Sequence, residues 1–243
     1  MDVLILAGGK SKPDLAEASG AEFRADIQFG EQTLTDIVLE AVSGLGEPIL
    51  VGGSPRVGVR QIESGKHFVD SLAKGLDAVS SERFLLVTVD LPFLTKESVE
   101  DFINSCPEGA GLCYPIVDMK ASEEMFPGVA RTSLKLKEGE FTGGNLSLMN
   151  TAAMRESLSV IEAAYDARKS PLKLAKMVGF GTLLRIIWGA VTPFRASLPY
   201  LESKVGTFLK IKVKGVPSKH AEIAADLDSA DHYHQFQNLK GLS

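Results

Sequence analysis

Continuous apolar runs alternate with helix-spaced apolar positions through the first half of the chain. Val3-Leu4-Ile5-Leu6, Pro48-Ile49-Leu50-Val51 and Phe84-Leu85-Leu86-Val87-Thr88-Val89 carry almost no polar residues, as expected of strands buried on both faces. The first two are followed by glycine pairs, Gly8-Gly9 and Gly52-Gly53, and the third ends at Asp90. A weaker strand is predicted within Val57 to Ile62, and Phe29-Gly30-Glu31 reads as a turn. Thr33 to Val42 shows apolar residues at helical spacing, with Thr33 or Thr35 able to cap its start. From His67 to Val79, the side chains of Phe68, Leu72, Leu76 and Val79 line one side of a second helix. Thr95 caps a third, beginning near Lys96. Strands and helices in this alternation call for an α/β fold with a mostly parallel sheet covered on both faces.

The second half is patterned differently. Leu112-Cys113-Tyr114-Pro115 is expected to be another central strand, and Val129 to Leu136 an outer one. Phe141-Thr142-Gly143-Gly144-Asn145 forms a second glycine turn ahead of the apolar run Leu146 to Met149. Residues 152–205 read as helix in several pieces, broken at Pro171, Gly179, Gly181 and Pro193. Phe208 to Val213 alternates as a strand should, and a final helix starts near Ala230. Without a repeat or a linker, the expected organisation is one domain over 1–243 with a helical insertion at 152–205.

Composition narrows the classes of function. The 243 residues are 44% apolar and 23% charged, which is ordinary globular composition and excludes a disordered chain. A net charge of −5 argues against a general nucleic-acid binder. The N-terminus lacks the pattern of a secretory signal. The longest apolar stretch, Phe180 to Phe194, is interrupted by Arg185 and falls short of a membrane span. Cys106 and Cys113 supply neither a disulfide framework nor a zinc set and read as packing residues. A cytoplasmic protein is the expectation. His67, His220, His232 and His234 read as surface residues.

The candidate chemistry gathers at predicted strand ends, where open parallel sheets bind ligands. Gly8-Gly9 leads into Lys10, Ser11 and Lys12. Glycine lets main-chain N–H groups approach a ligand closely, and the lysines make that ligand an anion, most simply a phosphate chain. The plain alternative is a strand-to-loop turn with solvated lysines. Asp90 is placed to bind magnesium together with substrate phosphates, or to cap a turn. Asp226 and Asp228 flank Leu227 and share one face of an extended chain, which suits a metal or a solvated edge. Thr142 to Asn145 suits either a base- or sugar-recognition loop or a simple turn.

Together, Leu6-Ala7-Gly8-Gly9-Lys10, the segment Thr88 to Thr95 (TVDLPFLT) and the segment Asp226 to Tyr233 (DLDSADHY) resemble the MobA-like nucleotidyltransferases. The helix holding Asp70-Ser71-Leu72 is also similar to the matching stretch of cytidylyltransferase relatives. Phe141 to Asn145 and Arg168-Lys169-Ser170-Pro171 resemble a subgroup defined only in general terms. The resemblance implies a Rossmann-like three-layer α/β/α fold and magnesium-dependent transfer of a nucleotidyl group to a small acceptor, releasing pyrophosphate. It implies that Leu6, Ala7, Gly8, Gly9 and Lys10 hold the nucleotide, with Ser71 and Thr142, Gly143, Gly144 and Asn145 contributing. Asp90 would bind magnesium, and one of Asp226 and Asp228, with Asp228 favoured, would complete the site. Lys10 and Arg24 would steady the phosphates.

There are departures from the family pattern. Pro13-Asp14-Leu15 replaces the usual Arg-Met-Gly, Arg24 stands for the usual lysine, and Ala230 for a proline. Guanosine triphosphate is the favoured donor because several members use it. The alternatives are a sugar transferase of the same fold and a nucleotide-binding protein without catalysis. A homodimer is left open. Leu183, Leu184, Ile186, Ile187 and Trp188 read as core packing or as a partner or acceptor surface.

Overall fold

A computed structural model describes residues 1–167 and 196–241. Its elements in chain order begin with β1 (Asp2–Leu6), α1 (Pro13–Ser19), the short pair β2 (Gln28–Phe29) and β3 (Gln32–Thr33), and α2 (Leu34–Ala41). Next come β4 (Pro48–Val51), β5 (Arg60–Ile62), α3 (Phe68–Ala78), β6 (Arg83–Thr88) and α4 (Lys96–Ser105). The second half holds β7 (Leu112–Asp118), α5 (Met119–Met125), β8 (Leu134–Lys135), β9 (Glu140–Gly143), β10 (Leu146–Asn150) and α6 (Thr151–Ala167). The described chain closes with α7 (Leu198–Leu209), β11 (Val213–Ser218) and α8 (Ala230–Lys240).

The sheet runs β5-β4-β1-β6-β10-β7-β9-β8, with β11 paired to β7. β5, β4, β1 and β6 are parallel; in register, Ile5 lies between Leu50 and Val87. β10 enters antiparallel, with Leu146 opposite Val87, and it also pairs antiparallel with β7. β11 runs parallel to β7 along its whole length. The α/β class with a mostly parallel sheet is therefore as expected.

Successive residues of a strand point to opposite faces, and both faces of this sheet are covered. Val3, Ile5, Leu85 and Val87 pack against Val38 of α2 and against Val99 and Phe102 of α4. Leu4, Leu6, Phe84 and Leu86 pack against Leu72 and Leu76 of α3 and Met154 of α6. A third cluster joins Leu15 of α1, Phe29, Phe126 and Phe236 of α8. Phe93 lies among these rings, at centroid distances of 5.4 Å from Phe29, 5.1 Å from Phe126 and 5.1 Å from Phe236. This cluster docks α8 on α1, and the Asp14 carboxylate accepts a hydrogen bond from Ala230 N at 3.0 Å.

Several elements depart from the sequence pattern. Phe208 and Leu209 close α7 instead of opening a strand; Lys210 leaves the helix in the left-handed region (φ 58), and the strand begins at Val213. Only Leu134–Lys135 pairs within the expected outer strand, while Val129 is buried in the third cluster. Val57 is fully exposed, so the weak strand shrinks to β5. Leu15 to Ala25, given no element by its pattern, holds the end of α1 and a 3-10 turn at Arg24–Asp26. Thr33 caps α2 in a reciprocal pair with Asp36, whereas Thr35 is buried and donates to the Ala25 carbonyl at 2.8 Å. His220 and His232 are not surface residues: their side chains are 12% and 14% exposed and bonded to carboxylates. Cys106 and Cys113 are buried free thiols.

Arg168 to Pro171, the breaks at Pro171, Gly179, Gly181 and Pro193, the run Phe180 to Phe194 and the Leu183 to Trp188 positions lie outside the described residues. Among the described residues, no helix is long and apolar enough to cross a membrane.

Candidate active site

The site is built from the end of β1. Ala7 extends the ladder by one bond, donating to the Val51 carbonyl at 2.8 Å, and the chain then turns through Gly8 and Gly9. Neither glycine has positive φ. Crowding excludes a side chain at Gly8, where a Cβ would strike Ser64; at Gly9 a Cβ would stand 2.9 Å from the Arg24 guanidinium, the movable end of a long side chain. Gly9 accepts from Arg24 N at 3.0 Å. The N–H groups of Gly8 and Gly9 have no main-chain acceptor among the described residues, so they remain free to meet an anion.

Asp90 follows β6 and is 8% exposed. The Arg24 guanidinium donates to its Oδ2, and Thr88 Oγ1 donates to its Oδ1 at 2.5 Å. Burial pushes the Asp90 carboxyl above the usual carboxylate range, and Arg24 offsets part of that rise. The Asp90 carbonyl accepts from Leu227 N at 2.8 Å. That bond brings Asp226 and Asp228, the two acids around Leu227, back to the end of β6.

Each of the three acids has its own basic partner. Asp90 has Arg24, Asp226 has Arg131, and Asp228 has Lys12 at 2.9 Å. His232 Nδ1 also lies 3.3 Å from the Asp228 carboxylate. Arg131 was not among the residues singled out by the sequence. Its side chain is only 4% exposed, and it donates to the Ala224 carbonyl as well as to Asp226. Burial lowers its proton affinity, and Asp226, Asp228 and Asp90 partly restore it. No local motif marks it; its partner acid is 95 positions away. Lys10 pairs with Glu22 at 2.7 Å, both well exposed, and its ammonium sits 5.4 Å from the Phe23 ring.

Two cavities open beside these acids. The first, about 610 Å³, is lined by Leu6, Gly8, Gly9, Lys10, Arg24 and Asp90 on one side and by the Ser64–Phe68 segment and Ser71 on the other. Ala7 is fully buried beneath it. Ser71 Oγ accepts from Gly65 N at 3.0 Å and so fastens that segment to α3. The second cavity, about 450 Å³, is lined by Tyr114, Arg131, Thr142, Asn145, Asp226 and Asp228, with Gly143 beneath the Tyr114 ring.

The predicted nucleotide residues are therefore divided. Leu6, Gly8, Gly9, Lys10 and Ser71 face the first cavity; Thr142, Gly143 and Asn145 face the second. Gly144 is buried against Pro115 and Ile223. Asn145 ties the two regions together: it donates to the Ile223 carbonyl at 3.0 Å and accepts from Thr88 N at 3.1 Å. Burial, and then the nearby Asp226 charge, raise the Tyr114 hydroxyl above its ordinary value. Oriented N–H groups, two cations and hard carboxylate oxygens beyond the ends of β1 and β6 have the chemistry to bind polyphosphate and to neutralise charge developing on it.

Comparison with known proteins identifies the family and the fold. A hypothetical transferase from Thermus thermophilus is similar over 95% of this chain and 98% of its own, with 31% identity and a TM-score of 0.86. A 2-C-methyl-D-erythritol 4-phosphate cytidylyltransferase, also from Thermus thermophilus, has a similar fold at 16% identity, with 98% of each chain covered and a TM-score of 0.54. A nucleotidyl transferase from Methanothermobacter shares the fold at 14% identity, covering 100% of this chain and 98% of its own with a TM-score of 0.54. No curated protein matches significantly. The MobA-like NTP transferase domain matches residues 3–169, a span that includes β1, its glycine loop, Arg24 and Asp90. The chain belongs to the MobA-like NTP transferase family and is a nucleotidyltransferase.

Proposed function

We propose that the protein transfers a nucleotidyl group from a nucleoside triphosphate in the first cavity to a small acceptor in the second, with magnesium as the cofactor. One observation carries this reading. Asp90 faces the first cavity and is bonded through Leu227 to the segment whose acids face the second. An acceptor oxygen arriving from the Asp226 side attacks the α-phosphorus, the bond from that phosphorus to the bridging oxygen breaks, and pyrophosphate leaves. Lys10 and Arg24 hold the phosphates, and the Gly8 and Gly9 N–H groups supply fixed dipoles. This is catalysis by positioning and charge neutralisation, with no covalent enzyme intermediate.

The donor set suits magnesium. Among the described residues, no three His, Cys, Asp or Glu side chains close a metal site by themselves. A hard ion that takes one or two carboxylates and completes its shell with phosphate oxygens and water matches that arrangement. Asp90 and Asp228 would hold it. Asp226, held by the buried Arg131, then acts as the neighbour that positions the segment. The ion supplies charge neutralisation at the reacting phosphate.

Guanosine triphosphate is the first donor to test, and a cytoplasmic setting suits a nucleotide-consuming protein with buried free thiols. The experiment is pyrophosphate release with magnesium, using each of the four triphosphates and a panel of phosphorylated and hydroxyl acceptors. Release that needs both a triphosphate and an acceptor supports the reading. Tight triphosphate binding with no release across the panel favours a binding protein without catalysis. Turnover only with nucleotide-sugar donors favours a sugar transferase.

A further inference from the structure

The first cavity has an aromatic side that phosphate chemistry does not use. Phe68 opens α3 and is 44% exposed, while Val69, Leu72 and Leu76 of the same helix are buried. The helical spacing predicts Phe68 on the packed face; instead its ring lines the cavity. A phenyl ring at the cavity wall gains stabilisation when a flat apolar group covers it.

The neighbouring rings are held in place. His67 caps α3, its Nδ1 accepting from Asp70 N at 3.4 Å, and its Nε2 lies 3.6 Å from the Asp70 carboxylate. The imidazole stacks on Tyr165 of α6, with centroids 5.0 Å apart and planes 29° apart. All three rings line the cavity. Ser64, Gly65 and Lys66 line the same cavity. Gly8 abuts Ser64, whereas Gly9 abuts Arg24. The cavity is therefore lined both by three aromatic rings and by the Lys10 and Arg24 cations. A ligand with a flat apolar head and an anionic tail matches both.

Resting on the reading that this cavity takes a triphosphate, we propose that Phe68, in a cavity also lined by the His67–Tyr165 stack, is the platform on which the nucleobase lies. Stacking on an aromatic ring tolerates any base, since every base has a π-face. The platform therefore sets affinity for the nucleoside half without choosing among bases.

The test is direct binding in the presence of magnesium, comparing the four nucleoside triphosphates with inorganic tripolyphosphate, for the wild type, Phe68→Ala, Phe68→Tyr and Tyr165→Ala. The expected result is a loss of about 10- to 100-fold in triphosphate affinity for Phe68→Ala, a smaller loss for Tyr165→Ala, and recovery in Phe68→Tyr. Tripolyphosphate affinity should not change in any variant. Equal losses for nucleotide and tripolyphosphate would make Phe68 a structural residue and overturn the proposal. Unchanged nucleotide affinity in Phe68→Ala would overturn it too, while leaving the triphosphate reading intact. A wild type that binds neither ligand would overturn the triphosphate reading itself, and the platform with it.

Discussion

The two cavities beside Asp90 are made by different means. The first has a floor of main chain, in which Gly8 and Gly9 offer free N–H groups and Arg24 and Lys10 bring charge. The second is walled by individual side chains: Tyr114, Arg131, Thr142, Asn145 and His232. Backbone amides and point charges recognise phosphate whatever is attached to it. A wall of particular hydroxyl, amide and phenol groups recognises one shape of partner. On the proposed reading, this difference lets a shared donor chemistry serve different acceptors on one fold.

The largest test of this division is at the boundary itself. Asp90→Ala should lower turnover by at least about 10³-fold with the circular dichroism spectrum preserved, and full magnesium-dependent turnover in this variant would remove the shared acid from the scheme. Next, Arg24→Ala should lower kcat/KM for the triphosphate by about 10²-fold without altering the acceptor KM, with Arg24→Lys partly restoring it. An equal rise in both KM values would show that the cavities are not separate. Smaller still, Thr142→Val and Tyr114→Phe, which remove single hydroxyls from the second cavity, should each raise the acceptor KM by about 10-fold and leave triphosphate affinity alone.

The smallest effect belongs to a residue distant from both cavities. Asp2 accepts from Ser80 N at 2.6 Å and Ser81 N at 3.0 Å. Burial raises its carboxyl, but these bonds outweigh it and hold the group below its ordinary value. A carboxyl lowered in the folded state stabilises the fold above its unfolded pKa, and that contribution fades as pH falls through the folded value. Asp2→Asn should therefore cost about 1–2 kcal/mol near neutral pH. In denaturant titrations the gap to wild type should close in acid, with neither KM changed.

The first cavity was also the more legible in sequence. β1, β4 and β6 announce themselves as unbroken apolar runs because both of their faces are covered, and the glycine pair and Asp90 sit at their ends. Even there, the reason for glycine at position 8 was hidden: Ser64 crowds the loop, which no local rule reveals. The second cavity draws on contacts between remote positions. Arg131 sits outside any helix or strand and has meaning only beside Asp226. The Phe141 to Asn145 segment reads as a turn, but Phe141, Thr142 and Gly143 belong to β9, and its place beside the second cavity depends on β9 pairing with β7. Phe208 to Val213 misled because its alternation spans a helix end and a loop. Phe68 misled because helical spacing assumes an inward face where the cavity lies.

Ala230 rests on the Asp14 carboxylate, and Leu227 on the Asp90 carbonyl. The proposed catalytic centre is thus closed by a stretch of chain that leaves the ribosome long after the rest of the site. A nascent protein can lay down β1, β4 and β6 early and present the glycine loop well before it possesses Asp228. On the proposed scheme, a chain that has not yet added the segment around Asp228 would be an inert scaffold until α8 docks.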